Sequence, residues 1–224
     1  MATDTESRDL ESVPNLKISR SENPEIELSF EEVENLYVFD QTGNKIRFGD
    51  IYANQKTIVV FARHFLCYMC KEYVEDLAKI PLNTLKDKNV KLVVIGCAPW
   101  KFIKHFKQET GYQYDMYCDP DRNIYKCLKC KCEANHTRKV VNKHIKSNAI
   151  SGILKSTWRA MQFPNEWQGD PSQMGATFIL GPGSTVHFSH LDGNSADQVA
   201  INDLLIEAGC DTVDFEKDQR VIHV

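Results

Sequence analysis

Two near-continuous apolar runs set the frame of this chain. Ile58-Val59-Val60-Phe61 and Lys91-Leu92-Val93-Val94-Ile95-Gly96 are short and rich in β-branched residues, the pattern of strands covered on both faces in a parallel sheet. After the first run, Met69, Cys70, Tyr73, Val74, Leu77 and Ile80 recur at helical spacing, with Lys71, Glu72, Glu75, Asp76 and Lys79 on the other side. That is an amphipathic helix, and Pro81 stops it. Upstream, Tyr37-Val38-Phe39 and Lys45-Ile46-Arg47-Phe48 flank a glycine-containing turn and read as a hairpin. Downstream, Pro99 opens a helix to about Thr110, residues 115–118 form a short strand, and a further helix carries Ile124, Tyr125 and Leu128. Residues 150–161 return to a helix with Leu154, Trp158 and Arg159. Residues 176–180 and 185–190 form an antiparallel hairpin around Gly181-Pro182-Gly183, and residues 197–208 form a closing helix stopped by Gly209. This order predicts an α/β fold, a mixed central sheet with helices on both faces.

The pattern fades at both ends and once in the middle. Residues 1–35 hold ten acidic and three basic side chains and few large apolar ones, so they read as an acidic, disordered tail with a short helix near residues 29–34. Residues 36–210 form the domain and 211–224 a second tail. Within the domain, residues 126–146 carry seven Lys or Arg against Glu133, plus His136 and His144, and read as a mobile, exposed, basic loop.

Charge and composition change the picture little. The net charge of −4 over 224 residues comes from the first tail, since the 21 acidic and 24 basic residues of the rest leave +3. No basic face for nucleic acid follows, and no apolar run reaches membrane-spanning length. The opening residues carry no secretion or transit pattern, so the eight cysteines are expected as reduced thiols in a cytoplasmic setting.

The chemistry concentrates at Cys67-Tyr68-Met69-Cys70, between the first buried strand and its helix. A thiol at a helix start faces unpaired backbone N–H groups and the positive end of the helix dipole, which favour thiolate. Arg63, and His64 when protonated, add positive charge from just upstream. Cys67 is therefore the candidate attacking thiolate and Cys70, on the inward stripe, the candidate resolving thiol. The competing reading is two inert cysteines in a packed core. His64 reads either as a hydrogen-bond donor or base beside Cys67 or as a packed histidine. Cys127, Cys130, Cys132 and His136 have soft-ligand chemistry, but Cys127 also completes an apolar helix face. No metal and no cofactor is assigned.

The run RHFLCYMCKEYVEDLAKIP, followed by Val93-Val94-Ile95-Gly96, Tyr117, Asp119-Pro120 and Ile124-Tyr125-Lys126, resembles the peroxiredoxin-like 2 family. So do Leu154, Trp158-Arg159-Ala160, Gln168-Gly169-Asp170-Pro171, Ile179-Leu180-Gly181-Pro182-Gly183 and the closing Val221-Ile222-His223-Val224. The resemblance spans roughly residues 36–224. It implies a thioredoxin-like (peroxiredoxin-like) fold related to the AhpC/TSA antioxidant enzymes, with the family's CxxC at Cys67 and Cys70. The expected substrate is a small hydroperoxide or a protein disulfide, and the expected reductant thioredoxin or glutathione. The sequence departs from true peroxiredoxins, whose Pro-x-x-x-Thr/Ser-x-x-Cys would place proline and a hydroxyl at Val60 and His64, or at Arg63 and Cys67. It departs from thioredoxins where Gly175-Ala176-Thr177 replaces a cis-proline pair. These departures favour the alternative of a non-catalytic, redox-sensing or signalling interaction module.

Overall fold

The two apolar runs lie side by side at the centre of the sheet, where neither has a solvent face. The computed structural model describes residues 31–132, 142–162 and 167–215. Strands β1 (Tyr37–Phe39), β2 (Lys45–Arg47), β3 (Lys56–Phe61), β4 (Val90–Gly96), β5 (Asp115–Cys118), β6 (Ala176–Leu180) and β7 (Val186–Leu191) are ordered β2-β1-β5-β4-β3-β6-β7. β3 pairs β4 in parallel from Lys56 opposite Val90 to Phe61 opposite Ile95, and β4 pairs β5 in parallel. β6 runs antiparallel to β3, β7 to β6, and β1 to both β2 and β5. The sheet is mixed, as the element order predicts.

Alternation along the central strands divides the interior in two. Ile58, Val60, Leu92 and Val94 face one core, with Tyr73, Val74 and Leu77 of α1 (Tyr68–Leu77), Ile103 and Phe106 of α3 (Ile103–Thr110), and Leu204 and Leu205 of α6 (Ile201–Ala208). A short α2 (Leu82–Lys86) adds Leu85 to it. Val59, Phe61, Val93 and Ile95 face the other core, with Ile124 and Tyr125 of α4 (Asn123–Cys127). Helices therefore cover both faces. The Tyr125 hydroxyl donates to the carbonyls of Ala62 at 2.6 Å and Ile95 at 2.9 Å, fixing the carboxyl ends of β3 and β4. The loop carrying the CxxC leaves from that edge, where open α/β sheets place their sites.

Several expectations change. α1 ends at Leu77 rather than Ile80, because tight turns from Lys79 N to Asp76 O and Ile80 N to Leu77 O wind the chain toward Pro81, which caps α2. α6 starts at Ile201 rather than 197, because side chains take the carbonyls the earlier turn would use. Asn142 binds Ala196 O and Gln198 O, His190 binds Asp197 O, and Tyr73 binds Val199 O. The basic stretch 126–146 is only partly exposed where it is described: Lys129, Lys131, Cys132 and Lys143 face solvent, whereas Leu128, Cys130 and His144 are buried. The helix expected at residues 150–161 is present as α5 (Ala149–Gln162), yet its apolar stripe faces outward. Ile150, Ile153, Leu154, Trp158 and Met161 are all exposed while Gly152 and Arg159 are buried.

The expected tail at 1–35 lies outside the described residues up to residue 30. From there residues 31–33 form a helical turn and Val33 is fully buried in the second core. Residues 133–141 of the expected basic stretch, with His136, lie outside the described residues, as do residues 163–166 and the last part of the second tail from 216 on, including Val221-Ile222-His223-Val224.

Candidate functional site

Cys67 is the N-cap of α1. Its backbone is extended, with φ −66° and ψ 119°, and its sulfur accepts the Cys70 N–H at 3.5 Å. The sulfur thus takes one of the amide hydrogens a helix start leaves unpaired. Arg63 supplies a second donor, Nη1, 3.4 Å from Cys67 Sγ. The guanidinium is held from behind, with Nε donating to Gln173 O at 3.0 Å and Nη2 to Pro171 O at 2.7 Å. Those carbonyls belong to the segment entering β6, so residues more than a hundred positions apart aim one charge at one sulfur.

The electrostatics follow. The Cys67 thiol is pulled down to about 6, first by the hydrogen bond from the Cys70 thiol. Burial opposes this, and the Arg63 charge with the Cys70 and Met69 amides adds to it. Cys70 moves the other way, pushed well above an ordinary thiol by its bond to Cys67, by burial and by the neighbouring charge. One thiol is prepared to ionise and the other to keep its proton. Both sulfurs belong to buried residues, at 6% and 3% exposure.

The structure brings Cys67, Cys70 and Arg63 together but treats His64 differently. The His64 carbonyl accepts the Cys67 N–H at 3.1 Å, whereas its ring makes no hydrogen bond to the Cys67 sulfur among the described residues. Burial, with the charges of Arg63 and Arg159, lowers the His64 ring to about 4, so it is neutral near pH 7. Of the two readings of His64, its burial and neutral ring fit the packed histidine, and its contact to Cys67 is through its backbone carbonyl.

Three features of the surroundings escape sequence reasoning. Glu72 and Asp76, expected on the outer side of α1, are buried. Asp76 binds His144 Nδ1 at 2.9 Å and Lys79 Nζ at 2.8 Å, and also pairs with Lys146. Glu72 accepts the backbone N–H groups of Lys146 and Ser147 at 2.6 and 3.0 Å. Residues 142–147 are thus strapped across the thiol helix. His144 also accepts the Ile201 N–H at 3.1 Å, capping α6. The basic charge of this stretch and the i, i+4 acids of α1 were the only sequence signal, and nothing marked them as a pair.

Second, a groove of about 570 Å³ runs between α1 and α5, beside the CxxC, lined among others by Tyr68, Lys71, Glu75, Leu154, Lys155 and Trp158. α5 comes close enough there that a Cβ on Gly152 would stand 2.5 Å from the Tyr68 ring. Arg159 points inward, paired with Glu109 at 2.9 Å through Nε and over the Phe106 ring, so it does not serve the thiols directly. Third, Asp192 is buried and lines the same small cavity as Cys70, although no role for it is read from the sequence.

Of the other cysteines, Cys97, Cys118, Cys130 and Cys210 are packed in the interior. Cys97 donates its thiol to Arg63 O at 2.6 Å and is pushed up to about 11 by burial. Cys118 and Cys130 are buried and raised as well, Cys127 is partly buried and Cys132 exposed. Among the described residues no three His, Cys, Asp or Glu side chains converge as metal ligands, and no helix is long and apolar enough to cross a membrane.

The profile of the AhpC/TSA antioxidant enzyme family matches residues 76–194, starting beyond the Cys67–Cys70 pair. The Peroxiredoxin-like 2C of Bos taurus is 47% identical over 193 residues, covering 86% of this chain and 85% of that protein. The Peroxiredoxin-like 2C of Takifugu rubripes is 42% identical over 204 residues, covering 89% and 90%. Among solved structures, peroxiredoxin Q of Xanthomonas campestris superposes with a TM-score of 0.55 at 12% identity, covering 80% of this chain and 92% of that one. That likeness is one of fold, and it establishes the thioredoxin-like, peroxiredoxin-type architecture.

Proposed function

The chain belongs to the AhpC/TSA antioxidant enzyme family, grouping with the peroxiredoxin-like 2C proteins, and from that premise we propose that it is a thiol-dependent antioxidant oxidoreductase working through Cys67 and Cys70. The observation that carries this reading is the convergence of Arg63 Nη1 and the Cys70 N–H on the Cys67 sulfur. With a small hydroperoxide, the Cys67 thiolate attacks the terminal oxygen, the O–O bond breaks and the alkoxide leaves as alcohol after taking a proton. Cys67 is then a sulfenic acid. The Cys70 sulfur attacks it, the S–O bond breaks, water leaves and a disulfide remains. With a protein disulfide, Cys67 forms a mixed disulfide that Cys70 resolves. A thioredoxin- or glutathione-type thiol returns the two electrons, in a reducing cytoplasmic compartment.

The test is hydroperoxide turnover coupled to thioredoxin or glutathione recycling, wild type against Cys67→Ser. The reading expects turnover that disappears in the variant. Equal background rates for both would remove it.

A second reading, a redox-sensing interaction module, is favoured by one observation. Both thiols are covered while the α5 stripe of Leu154 and Trp158 next to them is about two-thirds exposed. In that reading the pair oxidises stoichiometrically and changes binding of a partner protein, without turnover.

A further inference from the structure

A helix that covers a sheet turns its large apolar side chains to the core and its small or polar ones to water. α5 does the reverse. Its inward positions hold Gly152, which is buried, Ser156 and Ala160, which are half-buried, and Arg159, paired with Glu109. Ile150, Ile153, Leu154, Trp158 and Met161 face away from the domain, each between 61% and 76% exposed. Steps of three or four residues place them on one stripe along the whole helix. Single exposed apolar residues are ordinary on a protein surface, whereas a contiguous patch marks a contact site.

The charge around the stripe says what covers it. From Ala134 to Asn165 the sequence holds six Lys or Arg and no acid, in a chain of net charge −4. Of the described cations there, Lys146 pairs with Asp76 and Arg159 with Glu109. Lys143, on the strap leading into α5, and Lys155, on α5 itself, are exposed. The acids in the groove between α5 and α1 are Glu72, Glu75 and Glu109. Their side chains are at most 21% exposed, and they are met by the strap N–H groups, Lys71 and Arg159 respectively. Two copies meeting through this face across a two-fold axis would set one lysine-bearing surface against itself. Anionic lipid headgroups instead meet the lysines with opposite charge and leave the apolar stripe to the acyl chains beneath. Trp158 suits that boundary, where tryptophan rings collect.

We propose that α5 is a peripheral membrane-docking helix, lying in the plane of an anionic phospholipid bilayer. Ile150, Ile153, Leu154, Trp158 and Met161 enter the acyl boundary, and Lys143 and Lys155 stay among the headgroups. The contact is interfacial, since no helix among the described residues is long and apolar enough to cross a membrane. It goes beyond the thiol chemistry of Cys67 and Cys70 and does not depend on it. It also gives that chemistry a place. α5 rests on Tyr68, the neighbour of Cys67, so closely that a Cβ on Gly152 would stand 2.5 Å from the Tyr68 ring. A chain docked through α5 holds its thiol loop one helix away from the lipid.

The test sediments the full chain with vesicles of phosphatidylcholine alone or with roughly 30% phosphatidylserine, and follows tryptophan emission in the same samples. The expected result is binding at least about tenfold tighter to the phosphatidylserine vesicles, weakening as salt rises, with emission shifted to the blue. Leu154→Ser combined with Trp158→Ser should weaken that binding at least about tenfold. Lys143→Gln combined with Lys155→Gln should weaken it about tenfold as well. All four positions are exposed, so these variants should keep the wild-type circular dichroism and Cys67 alkylation rate.

A wild-type chain that ignores phosphatidylserine vesicles overturns the proposal. Equal binding to both vesicle types does the same, as does an apolar-stripe variant that binds like wild type. A chain that forms a dimer in analytical ultracentrifugation, dissociated by the Leu154→Ser and Trp158→Ser pair, also overturns it, because a second copy then covers the stripe. Cys67→Ser should bind the vesicles as wild type does. Loss of membrane binding and loss of hydroperoxide turnover are therefore read apart, and either reading can fail without the other.

Discussion

At the residue scale, what distinguishes Cys67 from seven other cysteines is the number of donors aimed at its sulfur. A thiol held at about 6 is mostly thiolate at pH 7 and loses that form as the pH falls through 6. Cys97, held at about 11, is thiol throughout this range. Rate-resolved alkylation mapped by mass spectrometry should find Cys67 reacting faster than Cys97, with its rate falling below about pH 6. Arg63→Gln removes one donor and the nearest positive charge, so the Cys67 inflection should move upward and alkylation at pH 7 should slow roughly three- to tenfold. His64→Gln should leave the profile between pH 6 and 8 unchanged, because the imidazole is already neutral there.

At the element scale, α1 is held by two different faces. Tyr73, Val74 and Leu77 bury against the sheet, each contributing roughly 1.5–3 kcal/mol. Glu72 and Asp76 bury under the 142–147 strap, where carboxylates are tolerated because His144, Lys146 and backbone N–H groups meet them. Burial raises the Asp76 carboxyl, and the bonds from His144, Lys146 and Lys79 more than offset this, holding it at about 2. The folded value lies below the unfolded one of about 3.9. Its stabilisation is therefore fully present above about pH 4 and lost as the pH falls through 2, roughly 1–2 kcal/mol after allowance for solvent screening. Asp76→Asn should cost roughly 3 kcal/mol in urea denaturation near neutral pH, and its acid-unfolding curve should be flatter than wild type between pH 4 and 2.

At the scale of the whole molecule, apolar surface is unevenly spent. All three tryptophans, Trp100, Trp158 and Trp167, are at least 40% exposed, while the two cores are built from aliphatic side chains, phenylalanine and tyrosine. Acrylamide should therefore quench tryptophan emission in the native protein almost as well as in urea. Trp158→Ala should change stability by no more than about 0.5 kcal/mol, against about 2–5 kcal/mol for Leu77→Ala in the first core, both read from urea midpoints. Local pattern alone determined the central strands, the hairpins, the helix after the CxxC and the place of Cys67 at its start. Each of these depends on neighbours within a few positions, through side-chain period, proline and glycine stops, and helix-end geometry. Only the tertiary structure decided the partners of those residues. Arg63 is aimed by carbonyls at 171 and 173, Asp76 meets His144, the α5 stripe is left without a covering helix among the described residues, and Asp192 is buried against the same small cavity as Cys70. Sheet order and loop closure bring these groups together from distant parts of the chain. A charge or an apolar stripe in sequence carries no record of which surface will fold against it.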